Sequence, residues 1–475
     1  MRFNIFLSVL LCLSCPVFSN DSKAKNVLLI CIDDLRPELK SFGQDYIISP
    51  HIDSLASKGR PFFRHYVNAP SCGPSRFTLL TGRYGASGNE ALFLRAKELA
   101  KNEKAHPLSM PGWFKKHGYT TVSVGKVSHH PGGLGGKDWD DPAAEEMPGA
   151  WDRHLLPSGK WQHPRGYMHG LANGEIRVVR NEMKVLQAVE GPDDIYPDGN
   201  TTRVTLEELD KLSSSGKPFF LATGILRPHL PFGAPKKYLD MYKNVKIPPI
   251  DDNKMPAGKT TWHKSGEFMA YNTFGKDPRK DEKFAEEARR HYAACVTYAD
   301  EQVGIILKKL EDTGAHKNTI VIVWGDHGWH LGEQKIWGKH CLFERALRSP
   351  LVIYYPGIEK PGVKTDALVE SADIFPTLCE LSGIPVPDFK QGQSLSLILK
   401  DPSAPGHPAF AYYKNADSIR TDRYRLILHH KDGHVELYDH QSKEKEMKNA
   451  AEENPEVVAV LKKLLAERQA VRGKK

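Results

Sequence analysis

The sequence predicts an α/β protein with a large, mainly parallel sheet flanked by helices, followed by a small C-terminal α+β domain that contains an antiparallel sheet. Continuous apolar runs, the first at residues 26–32, are typical of strands buried on both faces of a parallel sheet. Segments with helical spacing, such as residues 282–310, alternate with these runs. Beyond residues 383–385 the pattern changes, and residues 424–428 and 435–438 are predicted to pair as antiparallel strands.

The N-terminus has the three parts of a secretory signal, with a basic residue, a short apolar run and small residues that end at Ser19. We therefore expect residues 1–19 to be a signal peptide and the protein to be periplasmic or secreted. The apolar run is too short to span a membrane, so stable membrane insertion is not expected. A lipoprotein anchor at Cys15 is disfavoured, because Cys12 occupies the upstream position where a large aliphatic residue is expected.

The length of 475 residues favours one large domain and one smaller one. We predict a catalytic domain at residues 20–385 and a C-terminal domain at residues 386–475, which ends in a helix at residues 456–472. Charged residues make up 26% and hydrophobic residues 40% of the chain, as in ordinary folded proteins. The net charge of +8 is spread along the chain, which argues against nucleic acid as a partner and favours an anionic substrate.

Cysteine usage does not predict a disulfide framework. The cysteines beyond the predicted signal peptide are odd in number and widely spaced, namely Cys31, Cys72, Cys295, Cys341 and Cys379. An odd, functional cysteine is therefore permitted.

Polar residues follow the carboxyl ends of the predicted strands. Asp33 and Asp34 follow residues 26–32, and Lys126, His229 and Asp326-His327 follow the runs at residues 120–124, 218–222 and 319–324. Ligands of parallel sheets bind outside these strand ends. We predict that the site lies there, with residues 132–199 and 248–266 as loops at its mouth.

The acidic residues at two of these strand ends can serve as oxygen ligands for a divalent cation. Taken alone, an Asp-Asp pair after a strand is more often a turn or a helix cap. Two acidic ends that face one crevice would repel each other unless a cation lay between them. Oxygen ligands favour Ca²⁺ or Mg²⁺ over zinc.

Cys72 is predicted to begin a short helix, because Pro74 suits the first turn and Gly82 suits the end. The free N–H groups at a helix start favour a thiolate or a bound tetrahedral anion, and Arg76 can point back towards the same place. A lone cysteine before a helix is more often a small buried hydrophobic residue. The surrounding motif must therefore show whether Cys72 has a functional role.

The stretch from Cys72 to Arg83 resembles the signature of the type I sulfatases, C-x-P-S-R followed by L-T-G-R, in which the cysteine is oxidised to formylglycine. The resemblance covers nearly all of the predicted mature chain and is strongest to iduronate-2-sulfatases and related carbohydrate sulfatases. It implies an alkaline-phosphatase-like fold. It also implies dependence on a formylglycine-generating or anaerobic sulfatase-maturating enzyme.

The resemblance also implies the residues of the site. One Ca²⁺ per chain would be bound by Asp33, Asp34, the modified Cys72, Asp326 and His327; calcium prefers oxygen, so His327 is chemically the weakest ligand. Lys126 and Lys339 would bind sulfate, with Arg76 adding positive charge. His129 would act on the modified residue, and His229 would contact the departing ester and, assisted by Lys339, protonate the leaving alcohol.

The predicted function is hydrolysis of sulfate monoesters on a sulfated oligosaccharide or polysaccharide, with a uronate 2-sulfate or a marine polysaccharide such as ulvan or carrageenan among the candidates. The sugar stays open, since no uronate pocket can be assigned from residues 344–348 or from the loops. Aromatic and polar loop residues would either contact sugar or pack the loops, namely Trp139, Trp151, Arg153, Trp161 and His163. The alternatives are a formylglycine-dependent phosphodiesterase or phosphonate hydrolase and a non-catalytic binder of sulfated glycans.

Overall fold

The structure, a computed structural model, describes residues 25–130, 145–162 and 166–473. The predicted signal peptide at residues 1–19, with Cys12 and Cys15, lies outside the described residues. Trp139 and His163 lie outside them as well.

The described residues form β-strands and α-helices that alternate along most of the chain. The strands are β1 (Asn26–Ile32), β2 (Arg60–Tyr66), β3 (Thr120–Gly125), β4 (Arg153–Leu155), β5 (Leu186–Val189), β6 (Phe219–Ile225), β7 (Phe232–Pro235), β8 (Thr319–Gly325), β9 (His330–Leu331), β10 (Trp337–Gly338), β11 (Leu351–Tyr354), β12 (Thr365–Glu370), β13 (Ala409–Tyr413), β14 (Ala416–Arg420), β15 (Tyr424–His429) and β16 (Val435–Asp439). The helices are α1 (Pro50–Lys58), α2 (Cys72–Thr81), α3 (Ala91–Lys101), α4 (Met110–Lys116), α5 (Pro197–Ser214), α6 (Lys236–Asp240), α7 (Glu282–Asp312), α8 (Glu344–Leu347), α9 (Ile374–Ser382), α10 (Ser396–Lys400) and α11 (Pro455–Gly473).

The main sheet has eight strands in the order β12-β2-β11-β8-β1-β6-β3-β4. Only β11 runs antiparallel to its neighbours, and the remaining pairs are parallel. The prediction of a large, mainly parallel sheet is confirmed, and the predicted strands correspond to β1, β3, β6 and β8. The strands β2, β11 and β12 were not predicted.

Both faces of the main sheet are buried. In β1, Leu28, Ile30 and Ile32 pack into the core that α7 covers, and the alternate residues pack into a second core on the side of α2, α4 and α9. Successive side chains of a strand point to opposite faces, so an unbroken apolar run is what a doubly covered strand requires. The main sheet is thus held rigidly between two helical layers.

The prediction that residues 132–199 form loops is wrong for part of the described chain. β4 adds an edge strand beside β3, β5 pairs with β7, and α5 begins at Pro197. Strands of three and four residues are too short to show a periodic pattern. Pro197 is a signal that the sequence does carry, because proline is favoured in the first turn of a helix.

The C-terminal part forms an antiparallel sheet in the order β13-β14-β15-β16, packed against α11. The predicted pairing of β15 with β16 and the terminal helix are confirmed. Buried Glu370, at the end of β12, accepts hydrogen bonds from Tyr84 (2.7 Å), the Phe410 amide (2.6 Å) and Arg468 (2.7 Å), so it joins the two sheets. The domain boundary after residue 385 stays a prediction.

Two further features of the described residues bear on the sequence-based expectations. All five of their cysteines are buried and free of disulfides. Over the same residues, no helix has both the length and the apolar composition that crossing a membrane requires.

The contact between His407 and Asp373 makes stability depend on pH. Although burial opposes it, the Asp373 carboxylate 2.9 Å away raises the pKa of His407 to about 9. The folded state therefore retains a proton that the unfolded chain loses near pH 6.5, so this stabilisation is complete below pH 6.5 and is lost as the pH rises through 9. This pair should make the unfolding free energy of wild type fall by roughly 3 kcal/mol between pH 6.5 and 9. We expect His407→Gln to lack that decrease.

Urea unfolding at pH 6, 8 and 9.5 measures this effect. His51→Gln, which alters an ion pair with Glu301 whose side chains are both about 40% exposed, is the matched control. Identical pH profiles for wild type and His407→Gln would show that the pair does not carry the charge inferred for it.

Candidate active site

The predicted site residues follow the carboxyl ends of four neighbouring strands and lie together at that edge of the main sheet. β8, β1, β6 and β3 lie side by side, and Asp326-His327, Asp33-Asp34, His229 and Lys126 follow their carboxyl ends. The backbones of Gly224 and Lys126 approach each other closely at this edge. A Cβ atom on Gly224 would lie only 2.0 Å from the Lys126 carbonyl oxygen. A glycine is therefore required beside the turn that carries Lys126.

Cys72 is the first residue of α2 and lies at the centre of this edge, 2% exposed. Its Sγ is 3.4 Å from Asp33 Oδ1, 3.3 Å from His327 Nε2 and 3.4 Å from Lys339 Nζ. Burial, followed by the Asp33 charge, raises the pKa of the Cys72 thiol well above its usual value. Of the two possibilities that the sequence left open for this helix start, the structure disfavours a thiolate, because burial and the Asp33 carboxylate favour the neutral thiol.

Three carboxylates, those of Asp33, Asp34 and Asp326, are fully buried around Cys72. The Asp34 amide donates to Asp326 Oδ1 at 2.9 Å, with Asp34 in the left-handed region at φ 58°. Among the described residues, Asp34 Oδ2 has no hydrogen-bond partner. An unsatisfied buried carboxylate oxygen beside two more carboxylates fits a divalent cation, which oxygen-rich donor sets prefer.

The carboxylates titrate differently because their neighbours differ. Against the effect of burial, the Lys126 ammonium lowers the pKa of Asp33 well below its usual range. Burial raises the pKa of Asp34 well above its usual range and, together with the Asp33 charge, raises that of Asp326 to about 7. The pKa values of the three carboxyl groups are therefore spread apart, that of Asp33 being lowered and those of Asp34 and Asp326 being raised.

Three buried cations surround the carboxylates. Arg76 binds Asp326 Oδ2 through two nitrogens, at 2.9 and 3.1 Å, and donates to the carbonyl oxygens of Lys126 and Val127. Lys126 is ion-paired with Asp33, and Lys339 lies 2.7 Å from Asp34 Oδ1. These carboxylates outweigh the burial penalty and raise the pKa of both lysines, so both ammonium groups stay charged.

The histidines of the site are buried and held neutral. Burial, followed by the charge of a neighbouring lysine, lowers the pKa of His129 and of His327 well below the usual value. His229 has the same direction of shift, for which burial is the main cause. His327 Nδ1 lies 3.0 Å from the Gly328 carbonyl oxygen and His229 Nδ1 lies 2.7 Å from that of Leu230, so both Nδ1 atoms must donate and Nε2 is left as an acceptor.

The predicted ligand set is thus brought together. Ligand atoms of Asp33, Cys72, Asp326 and His327 all lie within 4.8 Å of one another, and those of Asp33, Asp34, Cys72 and His229 do the same. The second group adds His229 to the set named from the sequence. The roles of these residues stay predictions, since proximity shows that they share a site and not what each one does.

Glu267 is a residue of this site that the sequence did not reveal. Its Oε1 lies 3.3 Å from Lys339 Nζ and 3.9 Å from His229 Nε2, and its Oε2 lies 3.6 Å from His340 Nδ1. Against the effect of burial, the charge of Lys339 lowers the pKa of Glu267, so the group is ionised. It comes from an irregular segment with neither motif nor periodicity, and we find no sequence signal that would have identified it.

Each of the three described candidates for sugar contacts packs against or hydrogen-bonds to other protein groups, and Trp151 and Arg153 are only partly buried. Trp161 is 2% exposed and donates to the Leu171 carbonyl oxygen at 2.7 Å, and Trp151 packs against Phe220. Arg153 Nε donates to Glu208 Oε2 at 2.7 Å. Of the two interpretations left open by the sequence, the structure therefore favours loop packing for these three residues.

The fold and the site together define a class of enzyme, a hydrolase of anionic esters that works at the carboxyl edge of a parallel sheet. A family model described as Sulfatase matches residues 25–384, and one described as N-sulphoglucosamine sulphohydrolase, C-terminal, matches residues 332–472. The iduronate 2-sulfatase of Mus musculus is 33% identical over 402 residues, which cover 77% of this chain and 70% of that protein. The chain therefore belongs to the sulfatase family and is a sulfuric ester hydrolase, as the sequence predicts.

Solved structures confirm the predicted fold. A phosphonate monoester hydrolase from Silicibacter pomeroyi superimposes with a TM-score of 0.73 at 22% identity, over 94% of this chain and 95% of that one. A protein solved in complex with its substrate D-glucosamine-2-N,6-O-disulfate superimposes with a TM-score of 0.70 at 21% identity, over 95% and 98%. At these identities the likeness shows the alkaline-phosphatase-like fold alone.

Arg76 provides a test of the buried charge cluster. Arg76→Ala leaves the Asp326 carboxylate buried without its two-nitrogen partner, so we expect it to lower the unfolding free energy by about 3–5 kcal/mol. Arg76→Lys keeps the charge but loses the paired geometry, and we expect a smaller loss. Urea unfolding at pH 7 measures both.

The matched control is Arg203→Ala, which removes an exposed ion pair with Glu207 and should cost less than about 1 kcal/mol. A loss for Arg76→Ala no larger than that of the control would show that Arg76 does not stabilise the cluster.

Proposed function

We propose that the protein is an exported, calcium-dependent carbohydrate sulfatase whose nucleophile is formylglycine made from Cys72. The observation that carries the proposal is the arrangement of Asp33, Asp34 and Asp326 with three buried cationic side chains around Cys72 Sγ. The carboxylates suit a hard cation, and the ammonium and guanidinium groups paired with them suit an anionic ester.

The side-chain cations prepare the site for an anion. A sulfate monoester is itself negative, so a nucleophile approaches it only when that charge is neutralised. Lys339 Nζ lies 3.4 Å from Cys72 Sγ and is held there by Asp34 and Glu267. Lys126 is fixed by Asp33 and Arg76 by Asp326, so the three charges are in place before substrate arrives.

The two groups that the family implies would supply the remaining chemistry. Calcium, held by Asp33, Asp34, Asp326, His327 and the modified Cys72, would act as a Lewis acid on the ester oxygens. The hydrated aldehyde of formylglycine would offer two hydroxyl groups on one carbon, which an unmodified serine or cysteine lacks.

Proton transfer to the leaving alcohol is assigned to Lys339 with His229. His229 donates through Nδ1 to the Leu230 carbonyl oxygen and its pKa is lowered, so Nε2 carries no proton at neutral pH. Lys339 is charged, and an ammonium group is a stronger acid than a sugar hydroxyl. We therefore assign the proton to Lys339 and a hydrogen-bond acceptor role to His229, the reverse of the order expected from the sequence.

His129 is suited to accept a proton. It is neutral and buried, and among the described residues its Nδ1 has no hydrogen-bond partner. Its ring packs edge-on against His130, whose amide donates to Glu146 Oε2 at 2.6 Å, and this contact fixes the segment that follows Lys126. We assign His129 the role of the base that acts on the modified Cys72.

The proposed substrate is a sulfate ester on an oligosaccharide derived from a sulfated polysaccharide, and the proposed location is the periplasm or the cell exterior. The similarity to iduronate 2-sulfatase supports a uronate 2-sulfate, and a marine polysaccharide such as ulvan or carrageenan remains part of the proposal. The likeness to a phosphonate monoester hydrolase supports one alternative, hydrolysis of monoanionic phosphorus esters. A glycan binder without activity is the other.

Activity assays on co-expressed protein distinguish these functions. We expect release of sulfate from 4-nitrophenyl sulfate and from some members of a panel of defined sulfated oligosaccharides, with slower cleavage of an aryl phosphate diester. Cys72→Ala should lose sulfate release by at least about a thousandfold, because it removes the nucleophile. The mass of the Cys72 peptide should show replacement of CH₂SH by CHO.

The control for this assay is Cys379→Ala, at a buried cysteine in α9 outside the site. Faster cleavage of the diester than of any sulfate ester would favour the phosphorus alternative. Undiminished sulfate release by Cys72→Ala would overturn the mechanism.

Metal removal tests the proposed calcium site. A cation that binds only the folded state stabilises it by about 2.7 kcal/mol at a hundredfold excess over its dissociation constant. We expect Ca²⁺ to raise the melting temperature of chelator-treated wild type and to restore sulfate release. Asp34→Asn should lose most of this response, because it removes a charged ligand.

Asp210→Asn, at an exposed carboxylate paired with Lys309, should respond to Ca²⁺ as wild type does. A parallel titration with Mg²⁺ distinguishes the two cations. An unchanged melting temperature for wild type across millimolar Ca²⁺, together with full activity in chelator, would exclude the calcium site.

A further inference from the structure

An unbroken series of contacts leads from Cys72 to the C-terminal sheet. Lys339 Nζ lies 3.4 Å from Cys72 Sγ and 3.3 Å from Glu267 Oε1. Glu267 Oε2 in turn lies 3.6 Å from His340 Nδ1. The His340 ring stacks on Tyr413, the last residue of β13, with ring centroids 5.9 Å apart and an interplanar angle of 26°.

The same series leads from the interior to solvent. The exposed fraction of the side chain is 2% for Lys339, 19% for Glu267 and 30% for His340. Lys414, the next residue after Tyr413, is exposed, and its ammonium lies 5.2 Å from the centroid of the Tyr413 ring. These residues therefore connect the surroundings of Cys72 with solvent on this side of the site.

Lys414 is a cation that the described residues leave available. It forms no ion pair with any carboxylate of residues 25–130, 145–162 or 166–473. Its charge helps to lower the pKa of both His340 and His263, so its field reaches this wall of the site. Lys414 also has a positive φ of 50°, a conformation that lysine adopts at a cost.

The order of charges along this series of contacts determines which groups of a substrate can bind to it. The positive Lys339 is followed by the negative Glu267 and, beyond the His340–Tyr413 pair, by the positive Lys414. The ionised Glu267 repels an anionic substituent and accepts hydrogen bonds from hydroxyl groups. Beyond the stacked rings, Lys414 offers a charge to a carboxylate or sulfate.

We propose that Lys414, Tyr413 and His340 form a second subsite that binds a further anionic group, a carboxylate or a second sulfate, on the sugar that presents its sulfate ester to Cys72. This inference rests on the proposed sulfatase function and adds to it the charge pattern of the substrate. Glu267 lies between the two positions that bind anionic groups, and it accepts hydrogen bonds from hydroxyl groups of the same sugar.

The test compares substrates that differ in the second charge. Wild type, Lys414→Ala and Lys414→Glu are assayed with 4-nitrophenyl sulfate, a neutral monosulfated hexose, a monosulfated uronate and a disulfated hexosamine. We expect Lys414→Ala to raise KM for one or both of the doubly charged sugars by roughly threefold to tenfold, and Lys414→Glu to raise it further, with kcat little changed. Turnover of the aryl sulfate and the neutral sugar should stay at the wild-type level.

Lys431→Ala is the matched control, because Lys431 is an exposed lysine in another turn of the same C-terminal sheet. It should leave every substrate unaffected. An increase in KM confined to the uronate would identify a carboxylate as the second group, and an increase confined to the disulfated sugar would identify a sulfate. Equal KM values for wild type and Lys414→Ala on both doubly charged sugars would overturn the subsite. An equal increase in KM on all four substrates would overturn it as well.

A binding measurement separates this inference from the sulfatase proposal. In a Cys72→Ala background, which cannot turn substrate over, the uronate monosulfate and the disulfated hexosamine are titrated with and without Lys414→Ala. We expect the affinity for the doubly charged sugar to fall by the same factor as in the kinetic assay. If wild type releases sulfate from no substrate, the proposed function fails, while the affinities still decide whether the subsite exists.

Discussion

The electrostatic balance around Cys72 is the constraint on which the rest of the structure depends. Three fully buried carboxylates have oxygen atoms within 4.8 Å of the Cys72 sulfur atom, and each is paired with a buried cationic side chain. Burying a charge is costly unless it is paired and hydrogen-bonded, so each carboxylate has its own partner, Arg76, Lys126 or Lys339. Asp34 Oδ2, which has no hydrogen-bond partner among the described residues, lies where a divalent cation is proposed.

The fold meets this constraint by placing charged groups just beyond the carboxyl ends of central strands whose own side chains are mostly apolar. Because β8, β1, β6 and β3 are parallel neighbours, the residues that follow them are side by side although they are far apart in the sequence. The apolar faces of the same strands supply the burial that offsets the cost of the charge cluster. Cys72 comes from a different element, the first turn of α2, and lies among these charged groups.

The parts that could be predicted from sequence are those with a dense local signal. The strand β1 is read from an unbroken apolar run, α7 from helical spacing, and the position of Cys72 from a motif that surrounds it. Glu267 could not be found in this way, because it reaches Lys339 and His229 only through the tertiary fold. The neutral thiol of Cys72 could not be predicted for a related reason, since its burial and its neighbouring carboxylates depend on residues distant in sequence.

The same charge balance explains why one fold serves sulfate and phosphorus esters. In the proposed calcium form, the four carboxylates of Asp33, Asp34, Asp326 and Glu267 face three cationic side chains and one divalent cation, which leaves a single positive charge. A sulfate monoester carries one negative charge, as a phosphonate monoester can, whereas a fully ionised phosphate monoester carries two. A site with this balance would favour a singly charged ester over a doubly charged one, whether the central atom is sulfur or phosphorus.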